Sequence, residues 1–412
     1  MEFLTHTLPN GLEIVAECNS DAHSTALGFF VKTGARDETD AVSGVSHFLE
    51  HMVFKGTPHR SADDVNREFD EMGAHYNAFT SEENTVYYAA VLPEHQDASV
   101  DLLADIMRPA LREEDFTTEK NVILEEIKMY EDQPPFGADD KCRAVHYGQH
   151  PLGRSVLGSP ESIRDLSVEQ MRAYFRQRYS PKNIALVGAG RIDFDRLVKT
   201  ANERCGGWEP VPAPREAPPV PVAGSFHVVT KETATQAYAI QLACGPAAID
   251  QDRHAAKIMA TILGDDSGSR LFWELVDSGR AEQCSLGHYD YFGTGIFMTY
   301  MCCDPDGTAE NLQSIMNLYR QAEAAGFTPA ELALAKSKIN SRVVLSSERP
   351  RSRLFNVGFN WICRREYQTI RDDLNAVEGV TLDQATAVLE KYRLSQNTTY
   401  IVGPAKTVVA PK

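Results

Sequence analysis

The 412-residue sequence contains no apolar run of the ~20 residues that a membrane-spanning helix needs. It also lacks an excess of basic residues, because 41 Lys and Arg stand against 58 Asp and Glu, for a formal net charge of −17. Nucleic acids and anionic membrane surfaces attract basic patches, so we expect neither as a partner. The first residues show neither a basic nor an apolar segment, and we therefore expect no secretory signal.

Paired cysteines are also absent. The eight cysteines are scattered along the chain, and no two of them form a Cys-x-x-Cys pair. This spacing does not fit a thiolate zinc site or a disulfide framework. Reduced, mostly buried thiols are typical of the cytoplasm, so we expect a cytoplasmic protein.

One short segment carries the strongest chemical signal. Residues 43–54 have the sequence Ser-Gly-Val-Ser-His-Phe-Leu-Glu-His-Met-Val-Phe, with apolar residues at helical spacing and Ser43 placed to cap the first turn. His47 and His51 are four residues apart, so both imidazoles lie on one face of the predicted helix. Two neutral imidazoles one turn apart supply half of a tetrahedral zinc shell. Glu50 is placed to take a proton from water on the metal, whose pKa a bound Zn²⁺ lowers to about 7.

A catalytic zinc site needs a third protein ligand and an open position. A second predicted helix, residues 119–129, carries an apolar stripe and the carboxylates of Glu119, Glu125 and Glu126. Glu119 and Glu126 are seven residues apart, which is two helical turns, and therefore share a face. Charged groups that face a core need a reason, and a metal provides one. The alternative interpretation is a packed pair of surface histidines, which a third ligand in this position disfavours.

The segment His47-Phe48-Leu49-Glu50-His51, followed by a Glu about 75 residues later, resembles the inverted zinc-peptidase motif. The family is that of pitrilysin, insulin-degrading enzyme and the mitochondrial processing peptidases. Further matching segments lie at 44–47, 54–57, 76–80 and 122–127.

This resemblance implies a set of site residues. His47, His51 and Glu126 are the implied ligands of one Zn²⁺ per chain, and Glu50 is the implied general base. We prefer Glu126 to its neighbour because it shares a helix face with Glu119, which matches an auxiliary acidic position near the metal.

The resemblance also implies a substrate-binding strand, formed by Tyr76, Asn77, Ala78, Phe79 and Thr80. In the family this strand lies at a sheet edge beside the metal and pairs with an extended substrate through main-chain hydrogen bonds. Asn77 would add a side-chain contact to the substrate backbone. Without the resemblance, a plain strand with an Asn near its end is an equally good interpretation.

A proline-rich segment near the midpoint divides the chain, whose length predicts two domains. Residues 209–224 contain six prolines and predict a stiff, extended linker between domains 1–208 and 225–412. Both halves begin with two strands, a short loop and a helix, a weak repeat that indicates duplication. The helix near His254 has no histidine pair, so we expect the second domain to be structural or to hold substrate.

The predicted fold class is α+β. Each of the two homologous domains is expected to have an antiparallel or mixed sheet with helices packed on it. The family resemblance implies that the two domains form half of a clamshell.

The family's second-domain signature is only partly present. Residues 269–272, Ser-Arg-Leu-Phe, match it. In the family an Arg and a Tyr follow, seven residues apart, and steady the substrate carbonyl against the metal. Two registers place this pair either at Val276 and Gln283 or at Leu275 and Glu282. Neither register provides Arg and Tyr, and stabilisation of the oxyanion is usually a large catalytic contribution.

Two explanations remain for the missing pair. Either Arg270, Arg280 or His288 substitutes for it, or another chain supplies it. We favour the second, which predicts a homodimer or a heterodimer with a similar chain. The sequence thus predicts a zinc-dependent endopeptidase acting on peptides or unfolded segments. The alternatives are a non-catalytic scaffold subunit of a processing-peptidase-like complex and a metal-dependent hydrolase of a non-peptide substrate.

Overall fold

The computed structural model describes residues 1–133, 137–220, 224–405 and 407–412, so Pro221 of the predicted linker lies outside the described residues. The chain folds into two compact units. Each unit includes one segment from the other side of the proline-rich stretch. The predicted domain boundary at 209–224 therefore stays a prediction. The first unit comprises Met1–Lys128, Arg154–Glu216 and Leu345–Gln368. The second unit comprises Met129–Gly153, Ala217–Val344 and Thr369–Lys412.

The described residues contain strands in both units. They are β1 (Glu2–Thr7), β2 (Glu13–Cys18), β3 (Thr25–Val31), β4 (His75–Thr80), β5 (Thr85–Val91), β6 (Ile184–Gly190), β7 (Phe226–Thr230), β8 (Ala237–Gly245), β9 (Gln283–Tyr291), β10 (Thr294–Cys303) and β11 (Thr398–Gly403).

The α-helices of the described residues are α1 (Val45–Val53), α2 (Ala62–Glu71), α3 (Gln96–Ile106), α4 (Glu113–Asp132), α5 (Ala138–Tyr147), α6 (Pro160–Asp165), α7 (Val168–Arg178), α8 (Phe194–Cys205), α9 (Arg253–Gly264), α10 (Thr308–Ala325), α11 (Pro329–Ser347), α12 (Pro350–Arg364), α13 (Ile370–Glu378) and α14 (Leu382–Lys391). Within this part of the chain, none of them combines the length and the apolar character that crossing a membrane requires.

The first unit is built on a mixed sheet with the strand order β1-β2-β6-β3-β5-β4. The pair β2 and β6 is parallel, and the other pairs are antiparallel. All of β3 is buried because both faces of the sheet are covered. Its alternate residues Leu27 and Phe29 join the core under α1, and Phe30 packs against α12 on the opposite face. Gly358 of α12 permits this packing, since a Cβ there would lie 2.3 Å from the Phe30 ring.

The second unit repeats this topology. Its sheet has the strand order β7-β11-β8-β10-β9, with β7 and β11 parallel and the remaining pairs antiparallel. Matched in chain order, β7 to β11 occupy the places that β2 to β6 occupy in the first sheet. Helices α9, α10 and α14 contribute to its own hydrophobic core. The predicted α+β fold class and the predicted duplication are therefore confirmed.

Helix α1 begins differently from the sequence-based prediction. Gly44 precedes it in the left-handed region, at φ +87°, and the predicted cap by Ser43 is wrong. The buried carboxyl group of Glu38 accepts the backbone N–H groups of Gly44 at 2.7 Å and Ser46 at 2.8 Å. These groups are the donors that a side-chain cap would otherwise satisfy, so Glu38 takes the place of Ser43.

The cysteines agree with the expectation of reduced thiols. All eight lie among the described residues, none of them forms a disulfide bond there, and five are buried. Burial raises the pKa of Cys142, Cys205 and Cys284 to about 12, which makes these thiols poor nucleophiles at neutral pH.

Candidate metal centre

Helices α1 and α4 bring two histidines and one carboxylate together. His47 and His51 project from α1, whose apolar residues Phe48 and Leu49 are anchored in the core of the first unit. Glu126 of α4 has its Oε2 atom 3.7 Å from Nε2 of each histidine. One ligand atom from each of the three residues lies within 4.8 Å of the other two. Among the described residues, this is the group whose His, Cys, Asp or Glu side chains can hold a metal ion.

This donor set fits a zinc ion. Two ligands at 2.0–2.1 Å from a tetrahedral zinc are separated by about 3.3 Å, close to the 3.7 Å observed here. Burial, followed by the neighbouring His51, lowers the pKa of His47 to about 3. The His47 ring is therefore neutral and offers a nitrogen lone pair. Glu125, the neighbour of Glu126, is exposed and lies outside the group.

Glu119 of α4 orients the second histidine. Its Oε1 accepts a hydrogen bond from His51 Nδ1 at 2.9 Å, which leaves Nε2 to face Glu126. Its Oε2 lies 2.6 Å from Lys55 Nζ. Burial alone would raise the pKa of Glu119, but the hydrogen bonds from His51 and Lys55 hold it below its usual value. The carboxylate thus stays ionised and keeps the proton of His51 on Nδ1.

Glu50 lies beside the three converging residues and is not one of them. Its Oε2 accepts a hydrogen bond of 2.7 Å from the hydroxyl of Thr80, which belongs to β4. Burial raises the pKa of Glu50, and the Thr80 hydrogen bond opposes this shift. Thr80 thus contacts the predicted base, a role that sequence analysis did not assign to it.

Strand β4 is the edge strand of the first sheet, with β5 as its one neighbour there. The main-chain groups on its other side have no strand to pair with in the described sheet. An edge of this kind accepts an extended peptide by main-chain hydrogen bonding.

The side chains of β4 divide between its two faces. The Tyr76 ring stacks on Phe69 with a centroid separation of 4.0 Å, and its hydroxyl donates to Asn66 at 3.2 Å. Ala78 is buried on this face. Asn77 Oδ1 accepts the N–H of Ala78 at 2.8 Å, which leaves the amide NH₂ as its donor. On the opposite face Phe79 packs against two rings of α12, those of Phe355 and Phe359.

The second unit holds the three residues considered as substitutes for the missing pair. Arg270 forms an ion pair of 2.7 Å with Glu331, and Arg280 pairs with Glu274 at 3.1 Å. His288 Nε2 lies 2.9 Å from the carbonyl oxygen of Pro246. Each of the three candidates therefore already has a polar partner within its own unit.

Sequence reasoning missed Lys55, for which a weak signal existed, and Glu38, for which none did. Lys55 follows His51 by four residues, one helical turn, so a cation on the metal side of the helix was detectable. Glu38 precedes α1 by several residues and gave no local pattern.

Comparison with known proteins adds independent information. The sequence profile described as "Insulinase (Peptidase family M16)" matches residues 13–160. The profile described as "Peptidase M16 inactive domain" matches residues 165–339.

Relatives extend over both halves of the chain. An uncharacterized zinc protease of Mycobacterium tuberculosis is 32% identical over 405 residues, which cover 97% of this chain and 92% of that protein. The beta subunit of the mitochondrial processing peptidase of Neurospora crassa is 39% identical over 200 residues, 48% of this chain and 42% of that one. The crystal structure of a protease from Helicobacter pylori superposes with a TM-score of 0.92 and 22% identity, covering 98% of this chain and 99% of that one. At that identity the likeness is one of fold.

Proposed function

The chain belongs to the insulinase family, peptidase family M16, and from this we propose that it is a zinc-dependent endopeptidase cutting peptides or unfolded protein segments. The observation that supports this most directly is the meeting of His47, His51 and Glu126 beside Glu50. The family membership of the chain holds whether or not it is an active endopeptidase.

In the proposed mechanism each residue has one task. His47, His51 and Glu126 hold one Zn²⁺ per chain, which when bound acidifies a water molecule and polarises the scissile carbonyl. Glu50 is the general base, and because its Oε2 already accepts from Thr80, Oε1 takes the proton of the attacking water. Glu50 then passes that proton to the leaving amine. Glu119 holds the His51 ring in place.

The proposed substrate site is the free edge of β4, residues 76–80. An incoming peptide pairs with this edge through its main chain, and Asn77 can donate to a backbone carbonyl. Only an extended chain can form such a ladder, which is why we propose peptides and unfolded segments as substrates rather than folded proteins.

We propose that the active species contains two similar chains. Neither register, Val276 with Gln283 or Leu275 with Glu282, provides the family's Arg and Tyr. The cations of Arg270 and Arg280 are already engaged in ion pairs. A second chain, identical or related, would supply the missing pair. The eight cysteines, which form no disulfide bond in the described part of the chain, support a proposed location in the cytoplasm.

The second candidate function is a non-catalytic subunit. The absence of the Arg and Tyr pair favours it, and the Neurospora relative is by name one subunit of a processing peptidase. Retention of the complete group of His47, Glu50, His51 and Glu126 favours the endopeptidase.

The test combines metal analysis with cleavage of a quenched fluorescent peptide library. The zinc-loaded wild type is expected to cleave, and Glu50→Gln is expected to keep one zinc per chain while its rate falls by about 10²–10⁴-fold. The control Glu125→Gln changes an exposed carboxylate on the same helix as Glu126 and is expected to alter neither property. Full activity in zinc-loaded Glu50→Gln would remove the general-base assignment. A wild type that binds zinc but cleaves nothing, with or without any co-purifying chain, would favour the subunit.

A further inference from the structure

The turn that follows α1 carries a lysine, Lys55, whose ammonium group lies near the candidate metal ligands His47, His51 and Glu126. Lys55 Nζ lies 2.6 Å from Glu119 Oε2, and Glu119 Oε1 lies 2.9 Å from His51 Nδ1. The two oxygens of one buried carboxylate thus link the lysine to the histidine. The Lys55 side chain is 38% exposed, whereas that of Glu119 is 4% exposed.

The backbone around Lys55 is held in place from several sides. Its N–H donates to the carbonyl of Met52 at 3.1 Å, and its own carbonyl accepts from Arg112 at 3.2 Å. Gly56 follows at φ +101°, where a Cβ would lie 2.7 Å from the carbonyl oxygen of Arg60. These contacts hold the backbone of the turn, and the Lys55 ammonium group meets Glu119 at the carboxylate oxygen that does not contact His51.

We propose that Lys55 is a positioning residue of the zinc site, acting through Glu119 on His51. The ion pair fixes one oxygen of Glu119, so that the other oxygen stays on His51 Nδ1 and the ring keeps Nε2 directed at Glu126. Partners that orient a metal-bound histidine typically change metal affinity by 10–100-fold. The inference rests on the metal site of the proposed function but not on peptide cleavage.

A purely electrostatic role for Lys55 predicts the opposite change in zinc affinity when the lysine is replaced. An ammonium group close to a divalent cation repels it, so removal of the charge alone would strengthen zinc binding. Removal of a positioning contact weakens binding, because the Glu119 carboxylate can then leave the His51 ring. The direction of the change in zinc affinity therefore distinguishes the two roles.

The experiment measures the zinc dissociation constant by competition with a chromophoric chelator. Lys55→Met is expected to bind zinc about 10–100-fold more weakly than the wild type, and Lys55→Arg to recover most of this loss. The matched control is Lys128→Met, which removes an exposed lysine two residues after Glu126 and is expected to leave the affinity unchanged. Unchanged or tighter zinc binding in Lys55→Met would overturn the proposal.

A double-mutant cycle tests whether Lys55 acts through Glu119. Glu119→Gln is expected to weaken zinc binding by itself, and adding Lys55→Met to it is expected to cause no further loss. An equal further loss in the Glu119→Gln background would overturn the proposed route. The midpoint of thermal unfolding of the metal-free Lys55→Met protein is expected to stay within about 2 °C of wild type. A large fall of this midpoint with unchanged zinc affinity would assign Lys55 to stability instead.

The measurement of zinc affinity also distinguishes failure of the role proposed for Lys55 from failure of the proposed function. A chain that binds zinc and shows the expected order of affinities, but cleaves no peptide with or without any co-purifying chain, contradicts the endopeptidase and supports the role of Lys55. A wild type without zinc affinity overturns both.

Discussion

Four glutamates of the first unit differ in role because their neighbours differ. Glu126 faces two imidazole nitrogens, Glu119 bridges His51 and Lys55, and Glu50 accepts from a threonine hydroxyl. Glu38 accepts two backbone N–H groups at the start of α1. In the proposed site the same carboxyl group serves as ligand, orienting group or base, and at the start of α1 it caps the helix, according to what surrounds it.

The hydrogen bond between Thr80 and Glu50 leads to a prediction for catalysis. Thr80→Val keeps the shape of the side chain but removes the donor, and a hydrogen bond to a charged group contributes about 1.5–3 kcal/mol. We expect kcat to fall by about tenfold or more, since 1.4 kcal/mol is a factor of ten in rate. Steady-state kinetics on a fluorogenic peptide would check this. KM and zinc content should change little, and Thr80→Ser should restore most of the rate. A kcat equal to that of wild type would show that Glu50 needs no such support.

The choice between two adjacent glutamates can be tested by metal content. Glu126→Ala removes the carboxylate that faces both Nε2 atoms and is expected to lose the bound zinc. Glu125→Ala removes an exposed neighbour and should keep one zinc per chain. Elemental analysis of the dialysed proteins gives the answer. Full zinc content in Glu126→Ala would assign the ligand role elsewhere.

For single helices and strands, the spacing of apolar residues in the sequence predicted the elements that bury one apolar face. Helix α1 (Val45–Val53) lies within the predicted helical segment 43–54, and strand β4 (His75–Thr80) contains the predicted strand 76–80. Helix α4 is longer than the predicted 119–129, since it begins at Glu113. Its first turn contains Glu113, Glu114 and Asp115, whose negative charges are favourable at a helix N-terminus. Because these residues are not apolar, they do not extend the helical pattern of apolar residues on which the prediction was based.

The edge strand β4 gives a prediction that needs no change in the protein. In an antiparallel ladder, alternate residues exchange main-chain hydrogen bonds with the neighbouring strand. N-methylation of substrate residues should therefore raise KM at every second position and have little effect at the positions between. Kinetics with a series of singly N-methylated peptides would show the alternation. An effect of equal size at all positions would argue against pairing with this edge.

The cap of α1 leads to a prediction for the pH dependence of stability. Burial raises the pKa of Glu38 from its ordinary 4.5 to about 8, although the N–H groups of Ser46 and Gly44 oppose the shift. Because the folded state binds this proton more tightly, its stabilising contribution is complete below about pH 4.5 and is lost as pH rises through about 8. The slope is at most about 1.4 kcal/mol per pH unit.

Glu38→Gln serves as the non-titrating reference for this group. The difference in unfolding free energy, wild type minus Glu38→Gln, should decrease between pH 5 and 8 in denaturant titrations of metal-free protein. A difference that is flat over this range would contradict a proton on Glu38 in the folded state.

At the scale of the whole molecule, two units share one topology and differ in chemistry. Strands β4 and β9 are edge strands at matching places in the two sheets. Among the described residues, the candidate metal-binding group belongs to the first unit alone, and α9 of the second unit has no histidine pair. Duplication thus preserved the scaffold, and side-chain identity decided which copy can hold a metal.

The proposed pairing of chains gives a prediction for molecular size. Peptidase activity in size-exclusion fractions should coincide with a molar mass near twice the 45.7 kDa of one chain. The physical reason is the missing Arg and Tyr pair, without which the oxyanion lacks a major source of stabilisation. Light scattering on the active fractions measures the mass. Full activity from a single chain would show that residues within the chain replace the pair.

The sequence by itself determined the features that depend on local periodicity. A helical repeat of 3.6 residues places His47 and His51 on one face of α1. Tertiary structure alone decided which distant groups meet: Glu119 with Lys55, Glu38 with the start of α1, and Gly358 with Phe30. The reason is physical, because periodicity fixes where a side chain points from its own element. Its partner is fixed only when the elements pack together.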